Sequence, residues 1–186
     1  FWEYDPSVGA LGTWTMKSDV PGDGRYYAVG LSIGNKGYIG TGIDASDTRK
    51  KDFWEFDPSA GVLGTWTRKA DLSGEERYAA QGFSIRNKGY VGTGYNFSFL
   101  NDVWEYNQVN DTWSEKASLP GGIRNTATAF SIGNKGYMGL GGNATVGLND
   151  FWEYSPEVEC NSWTQFPDFP GAKRAAPVAF SIADKG

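Results

Sequence analysis

Phe53-Trp54-Glu55-Phe56-Asp57 opens a unit that continues through Thr65-Trp66-Thr67, Arg77 and Asn87-Lys88-Gly89 to Gly89-Tyr90-Val91-Gly92-Thr93-Gly94. Its first tetrad recurs as Phe1-Trp2-Glu3-Tyr4, Val103-Trp104-Glu105-Tyr106 and Phe151-Trp152-Glu153-Tyr154, with steps of 52, 50 and 48 residues between the Trp residues. A second Trp follows each time, at Trp14, Trp66, Trp113 and Trp163. Then comes an Arg, at Arg25, Arg77, Arg124 and Arg174. Asn-Lys-Gly occupies 35–37, 87–89 and 134–136, with Asp184-Lys185-Gly186 as its last echo. The repeats by this period are 1–51, 52–101, 102–149 and 150–186.

Each unit reads as four short strands. The alternation in Phe-Trp-Glu-Tyr places Trp and Tyr on one face and Phe and Glu on the other. Thr-Trp-Thr is β-branched and aromatic, the small apolar stretch 78–85 leads into an Asn-Lys-Gly turn, and Gly-Tyr-x-Gly is a strand in which backbones must approach closely. No stretch carries a helical apolar pattern of useful length. A period near 50 with four strands per unit is that of a β-propeller blade.

Composition agrees and excludes several chemistries. Gly (26 residues) and aromatics (16%) are abundant, which leans to an all-β chain. With no His there is no Ser-His-Asp triad, no Cys-His pair and no His-ligated zinc, copper or haem iron in these 186 residues. A net charge of −5 offers no basic footprint for nucleic acid, so no nucleic-acid partner is expected. No apolar run approaches the roughly 18 residues of a membrane-spanning helix, and no membrane insertion is expected. Cys160, the single cysteine, falls in a turn with no nearby activator and reads as inert.

The ordered series of Arg, small-residue strand, Gly-Tyr strand, Trp-Glu-Tyr strand and second Trp resembles the kelch repeat over essentially the whole chain. The resemblance implies an all-β kelch-type propeller of four-stranded antiparallel blades, here about 3.7 repeats of a larger ring. Lettering the strands from the centre outward, A falls near 25–33, B 37–42, C 52–57 and D 65–70. Complete blades are then about 25–70, 77–117 and 124–167. Because the chain starts with C and D strands and stops after one A strand, an excerpt of a longer propeller is expected, with remaining blades of the same parent chain as neighbours. One departure stands out: the Gly-Gly doublet of kelch repeats is Thr41-Gly42, Thr93-Gly94 and Leu140-Gly141 here.

In kelch propellers that bind acidic peptides, arginines before strand A point into the central opening. By resemblance, Arg25, Arg77, Arg124 and Arg174 are candidate ligand contacts. A ring of them makes an anion site, because guanidinium grips carboxylates bidentately; the alternative is that each Arg braces its own blade. The B–C loops (43–51, 95–101, 143–149) share a face with these arginines and vary most between copies, and Tyr95, Phe97 and Phe99 are further candidates. The repeated Glu3, Glu55, Glu105 and Glu153 read as structural, facing Lys17, Lys69 and Lys116 across strands, since a glycosidase needs two carboxylates converging on one bond. The Trp and Tyr or Phe of each C strand are expected to pack between sheets. Together these features point to a non-enzymatic module binding a protein or glycan, without cofactor or metal. Two alternatives stay open: a kelch enzyme resembling sialic acid mutarotases, and a structural adhesin or spacer array. Resemblance to bacterial secreted kelch-repeat proteins implies an extracellular or cell-envelope setting.

Overall fold

The computed structural model describes residues 1–156 and 162–186; Cys160 lies outside them. Strands β1 (Trp2–Asp5) and β2 (Thr13–Met16) form an antiparallel hairpin. Next come β3 (Arg25–Tyr26), β4 (Val29–Ile33), β5 (Lys36–Gly40), β6 (Ile43–Asp44), β7 (Phe53–Asp57) and β8 (Thr65–Lys69), of which β4-β5-β7-β8 form a four-stranded sheet. The second sheet consists of β9 (Gln81–Ile85), β10 (Lys88–Gly92), β13 (Val103–Asn107) and β14 (Thr112–Lys116), with β11 (Tyr95–Asn96) and β12 (Ser98–Phe99) as a small hairpin in its B–C loop. A third sheet runs β15 (Thr128–Ile132), β16 (Lys135–Gly139), β17 (Phe151–Ser155) and β18 (Ser162–Phe166). Each four-stranded sheet is an antiparallel meander, and β9 lies between β4 and β15, the innermost strands of the sheets on either side. The architecture is all-β and that of propeller blades.

The A strand differs from its expected span because it is broken. Arg25 and Tyr26 leave the main sheet and pair instead with Asp44 and Ile43 of the B–C loop. The break falls at Tyr27, with Ala79, Thr126 and Ala176 as its counterparts, all at positive φ between 46° and 55°. A left-handed residue rotates its peptide out of the ladder, and these rotated groups bond between blades. Ala79 N–H donates to the Tyr27 carbonyl, Thr126 N–H to Ala79 and Ala176 N–H to Thr126, each at 3.0 Å. Successive blades are thus linked by a backbone chain around the inner end. Since left-handed L-residues cost about 1–2 kcal/mol each, a local penalty is exchanged for paired polar groups at a crowded site.

Blades nest through their aromatics. Phe53 and Tyr38 stack at 5.4 Å between ring centres, and Phe53 meets Tyr106 of the next blade at 4.9 Å and Trp113 at 5.0 Å. The Tyr38–Tyr106 contact at 5.8 Å returns one blade on as Tyr90–Tyr154 at 5.2 Å, with Phe83 of the innermost strand facing Tyr154 at 6.0 Å where the Phe53 position holds Val103. Tyr38, Phe53, Tyr90, Tyr106 and Tyr154 are all buried. The first Trp of these units is less deeply placed than expected, though Trp152 still packs against the core shared by the second and third sheets. Trp54, Trp104 and Trp152 are only half-buried, and each indole N–H donates to the carboxylate two residues before it, at 2.6–2.7 Å. The residue ahead of that Trp fills the inter-blade core in the first sheet, because Phe53 projects to the side where the neighbouring blade lies. The second Trp ties its blade to the previous one: Trp66 donates to the Ser18 carbonyl, Trp113 to Ala70 and Trp163 to Ala117, at 2.8–2.9 Å.

Candidate functional site

Four arginines were expected at the centre of the D–A and B–C loop face, and three of them are committed inside the fold. Arg25 grips Asp52 bidentately at 2.6 and 2.7 Å, Arg77 grips Asp102 at 2.5 and 2.7 Å, and Arg124 grips Asp150 at 2.7 Å twice. Each guanidinium also donates to the carbonyl of a doublet residue: Arg25 to Thr41 at 3.2 Å, Arg77 to Thr93 and Arg124 to Leu140, both at 3.1 Å. Arg77 and Arg124 have no exposed surface. The cavity at the inner blade ends, about 180 Å³, is lined by residues such as Ala28, Ala80, Gln81 and Ala127, with none of the four arginines among its walls. Reading Arg25, Arg77 and Arg124 as ligand contacts is therefore corrected. Enclosure and a bidentate carboxylate leave no donor fork for a ligand, so they brace their blades. Arg174 differs in being exposed, with its guanidinium 4.7 Å from the Phe169 ring centre.

The carboxylate half of this brace is legible in the sequence. Asp52, Asp102 and Asp150 each stand two residues before the first Trp, a constant position that alignment of the units displays. Burial acts to raise the Asp52 and Asp150 carboxyls, but hydrogen bonds from Arg25 or Arg124 and from the adjacent Trp outweigh it. Both carboxyls are held below the usual range.

The repeated Glu residues are likewise structural. Tyr38 donates to Glu55 at 2.6 Å, Tyr90 to Glu105 and Tyr137 to Glu153 at 2.8 Å. Their nearest cations come from Asn-Lys-Gly on strand B: Lys88 reaches Glu105 at 2.7 Å and Lys135 reaches Glu153 at 2.5 Å. The expected strand-D partners contribute at the periphery, with Lys17 3.2 Å from Glu3 and Lys116 3.6 Å from Glu105; Lys69 turns to Asp111 instead.

What remains open on the loop face is aromatic. Tyr26 and Tyr27 are exposed and lie 5.4 Å apart; Tyr27 continues to Tyr78 at 5.9 Å, Tyr78 to Tyr95 at 5.6 Å and Tyr95 to Phe99 at 5.0 Å. Of the B–C loop candidates, Tyr95 and Phe99 are half-buried in the β11–β12 hairpin. Phe97 is 76% exposed, at the tip of the β11–β12 hairpin, with positive φ. Arg49, from the preceding blade's B–C loop, packs its guanidinium 3.9 Å from the Phe97 ring centre and 5.8 Å from that of Tyr78. The row joins two blades, since Tyr26, Tyr27 and Arg49 belong to one and Tyr78 to Phe99 to the next. Tyr26, Tyr27, Tyr78 and Arg49 were missed by sequence reasoning. The D–A tyrosines lie in segments that look like strand, and only the left-handed turn at Tyr27 brings them to the surface.

A family model described as "Kelch motif" matches residues 94–120. A solved structure titled "Structure of YjhT" superposes with a TM-score of 0.73 at 16% identity, covering 87% of this chain and 55% of that one. The chain therefore spans about half the length of that structure. No curated protein sequence matches. The blades are kelch-type β-propeller blades, and residues 94–120 carry a kelch motif.

Proposed function

We propose that this chain is a non-enzymatic binding module whose D–A and B–C loop face holds a protein or glycan partner, in an extracellular or envelope setting. The observation that carries the reading is the continuous aromatic row from Tyr26 to Phe99, capped by Phe97 and Arg49. Tyr26, Tyr27 and Phe97 are exposed and Tyr78, Tyr95 and Phe99 half-exposed, and mutually buttressed rings on loops held by a rigid scaffold are the usual anchors of recognition surfaces. Arg25, Arg77 and Arg124 are paired with Asp52, Asp102 and Asp150, and Glu55, Glu105 and Glu153 with a Tyr and a Lys of strand B, which favours scaffold over chemistry.

The test is an array of glycans and peptides probed with the chain and with its Phe97→Ala/Tyr27→Ala double variant, both first shown to be folded by near-ultraviolet circular dichroism. Selective binding that disappears in the double variant supports the reading. Absence of any binding, or binding indifferent to the two substitutions, sinks it and favours a structural array.

A further inference from the structure

We infer that the loop face takes an uncharged linear glycan, an assignment that rests on reading the chain as a binding module. Three observations converge on it. The first is shape. Tyr26, Tyr27, Tyr78, Tyr95 and Phe99 follow one another in single file, each ring touching the next at 5.0–5.9 Å across the junction of two blades. A single-file row of rings suits an extended chain, whereas a protein partner of ordinary size covers a broad patch of about 800 Å² per side.

The second observation is hydrogen-bonding capacity. The core phenols of Tyr38, Tyr90 and Tyr137 all donate to a carboxylate. Among the described residues, the hydroxyls of Tyr26, Tyr27, Tyr78 and Tyr95 have no such partner. Each can donate one hydrogen bond and accept others beside an apolar ring face. A pyranose presents the complement, an apolar C–H face edged by hydroxyls that both donate and accept. Tyrosine supplies this mixed surface at small entropic cost, having few rotatable bonds.

The third is charge. Asp23, Asp47, Glu75 and Glu76 are exposed around the row. Of the three cations at the end of the first B–C loop, Lys50 reaches Asp44 at 2.6 Å and the Arg49 guanidinium lies on the Phe97 ring, which leaves exposed Lys51 against four exposed carboxylates. An acidic rim repels uronic acids, sialic acids and acidic peptides, and leaves neutral sugars favoured.

Affinity electrophoresis decides it, run in gels containing hydroxyethyl cellulose, laminarin, xylan or polygalacturonate. Retardation by at least one neutral polymer is expected, with none by polygalacturonate. Phe97→Ala and Tyr27→Ala should each weaken it about tenfold, as loss of an aromatic anchor does. Trp14→Ala, which removes an exposed aromatic far from the row, should leave it unchanged. Retardation by polygalacturonate alone, or neutral binding untouched by the Phe97 and Tyr27 substitutions, overturns the assignment. If no gel retards the chain but an arrayed peptide binds it in a Phe97-dependent way, the glycan assignment fails while the binding-module reading stands. If neither gels nor peptides engage the face, both fail.

Discussion

Arg77 and Asp102 show how a side chain that looks like a ligand contact becomes structure. A buried guanidinium is tolerable only when paired, and removing one partner of such a pair typically costs about 3–5 kcal/mol because the other charge is left enclosed. Asp102→Asn should therefore lower stability by about that much in urea denaturation, whereas Glu76→Gln on the exposed rim should change it by less than about 0.5 kcal/mol. The depressed carboxyls of Asp52 and Asp150 add a pH signature. A carboxyl whose folded pKa lies below its unfolded value near 3.9 contributes stability that is complete above that value and fades as pH falls through the folded one. The melting temperature should thus hold steady from neutral to about pH 5 and drop below about pH 4. Asp150→Asn should sit lower at neutral pH and converge on the parent in acid. Parallel curves for the two proteins across the whole range would contradict this assignment.

At the scale of the element, the doublet that follows each B strand has an unusual first residue. Thr41, Thr93 and Leu140 hold φ of 59°, 60° and 56°, ahead of glycines at 98°, 106° and 81°. Thr93 is fully buried, and its hydroxyl has no hydrogen-bond partner among the described residues. Its carbonyl receives Arg77, so the strained peptide is held by the brace. Thr93→Gly should stabilise the fold by about 1 kcal/mol, relief of the left-handed strain and of the unpaired hydroxyl outweighing the flexibility added to the unfolded chain. The neighbouring Gly94 answers in the opposite sense. A Cβ there would lie 2.9 Å from the Tyr78 carbonyl oxygen at φ 106°, so Gly94→Ala should destabilise by about 2 kcal/mol or more, read from thermal melting. Gly136 makes the same point between elements: a Cβ would run into the Phe83 ring of the neighbouring blade, so its smallness belongs to nesting rather than to a turn.

Across the whole molecule, stability is shared between blades by a repeated set of links: the left-handed peptides, the second Trp, and a Tyr on the facing rings. Such an array behaves as units joined by nearest-neighbour interfaces. Tyr154 is wholly buried against Phe83 and Tyr90, and Tyr154→Ala should cost about 3–5 kcal/mol, concentrated at the junction of the second and third sheets. Hydrogen exchange should then quicken in β15–β18 ahead of β4–β8. A uniform rise across all sheets would mean the array unfolds as one body. The two-fold period of the strands, the turns at Asn-Lys-Gly and the spacing of about 50 residues are local properties, so sequence by itself determined the blades, their strand order and the loops that share a face. Tyr95, Phe97 and Phe99 were legible as candidates because they interrupt a loop that would otherwise be polar. The role of the arginines was not local: whether a guanidinium meets a ligand or a carboxylate 25 to 27 residues away depends on where the next C strand begins in space. The surface row was hidden for the same reason. Tyr26, Tyr27 and Tyr78 read as strand residues, and only the left-handed turn that links one blade to the next swings them to the surface beside Tyr95, because that backbone conformation is imposed by inter-blade hydrogen bonding and not by side-chain preference.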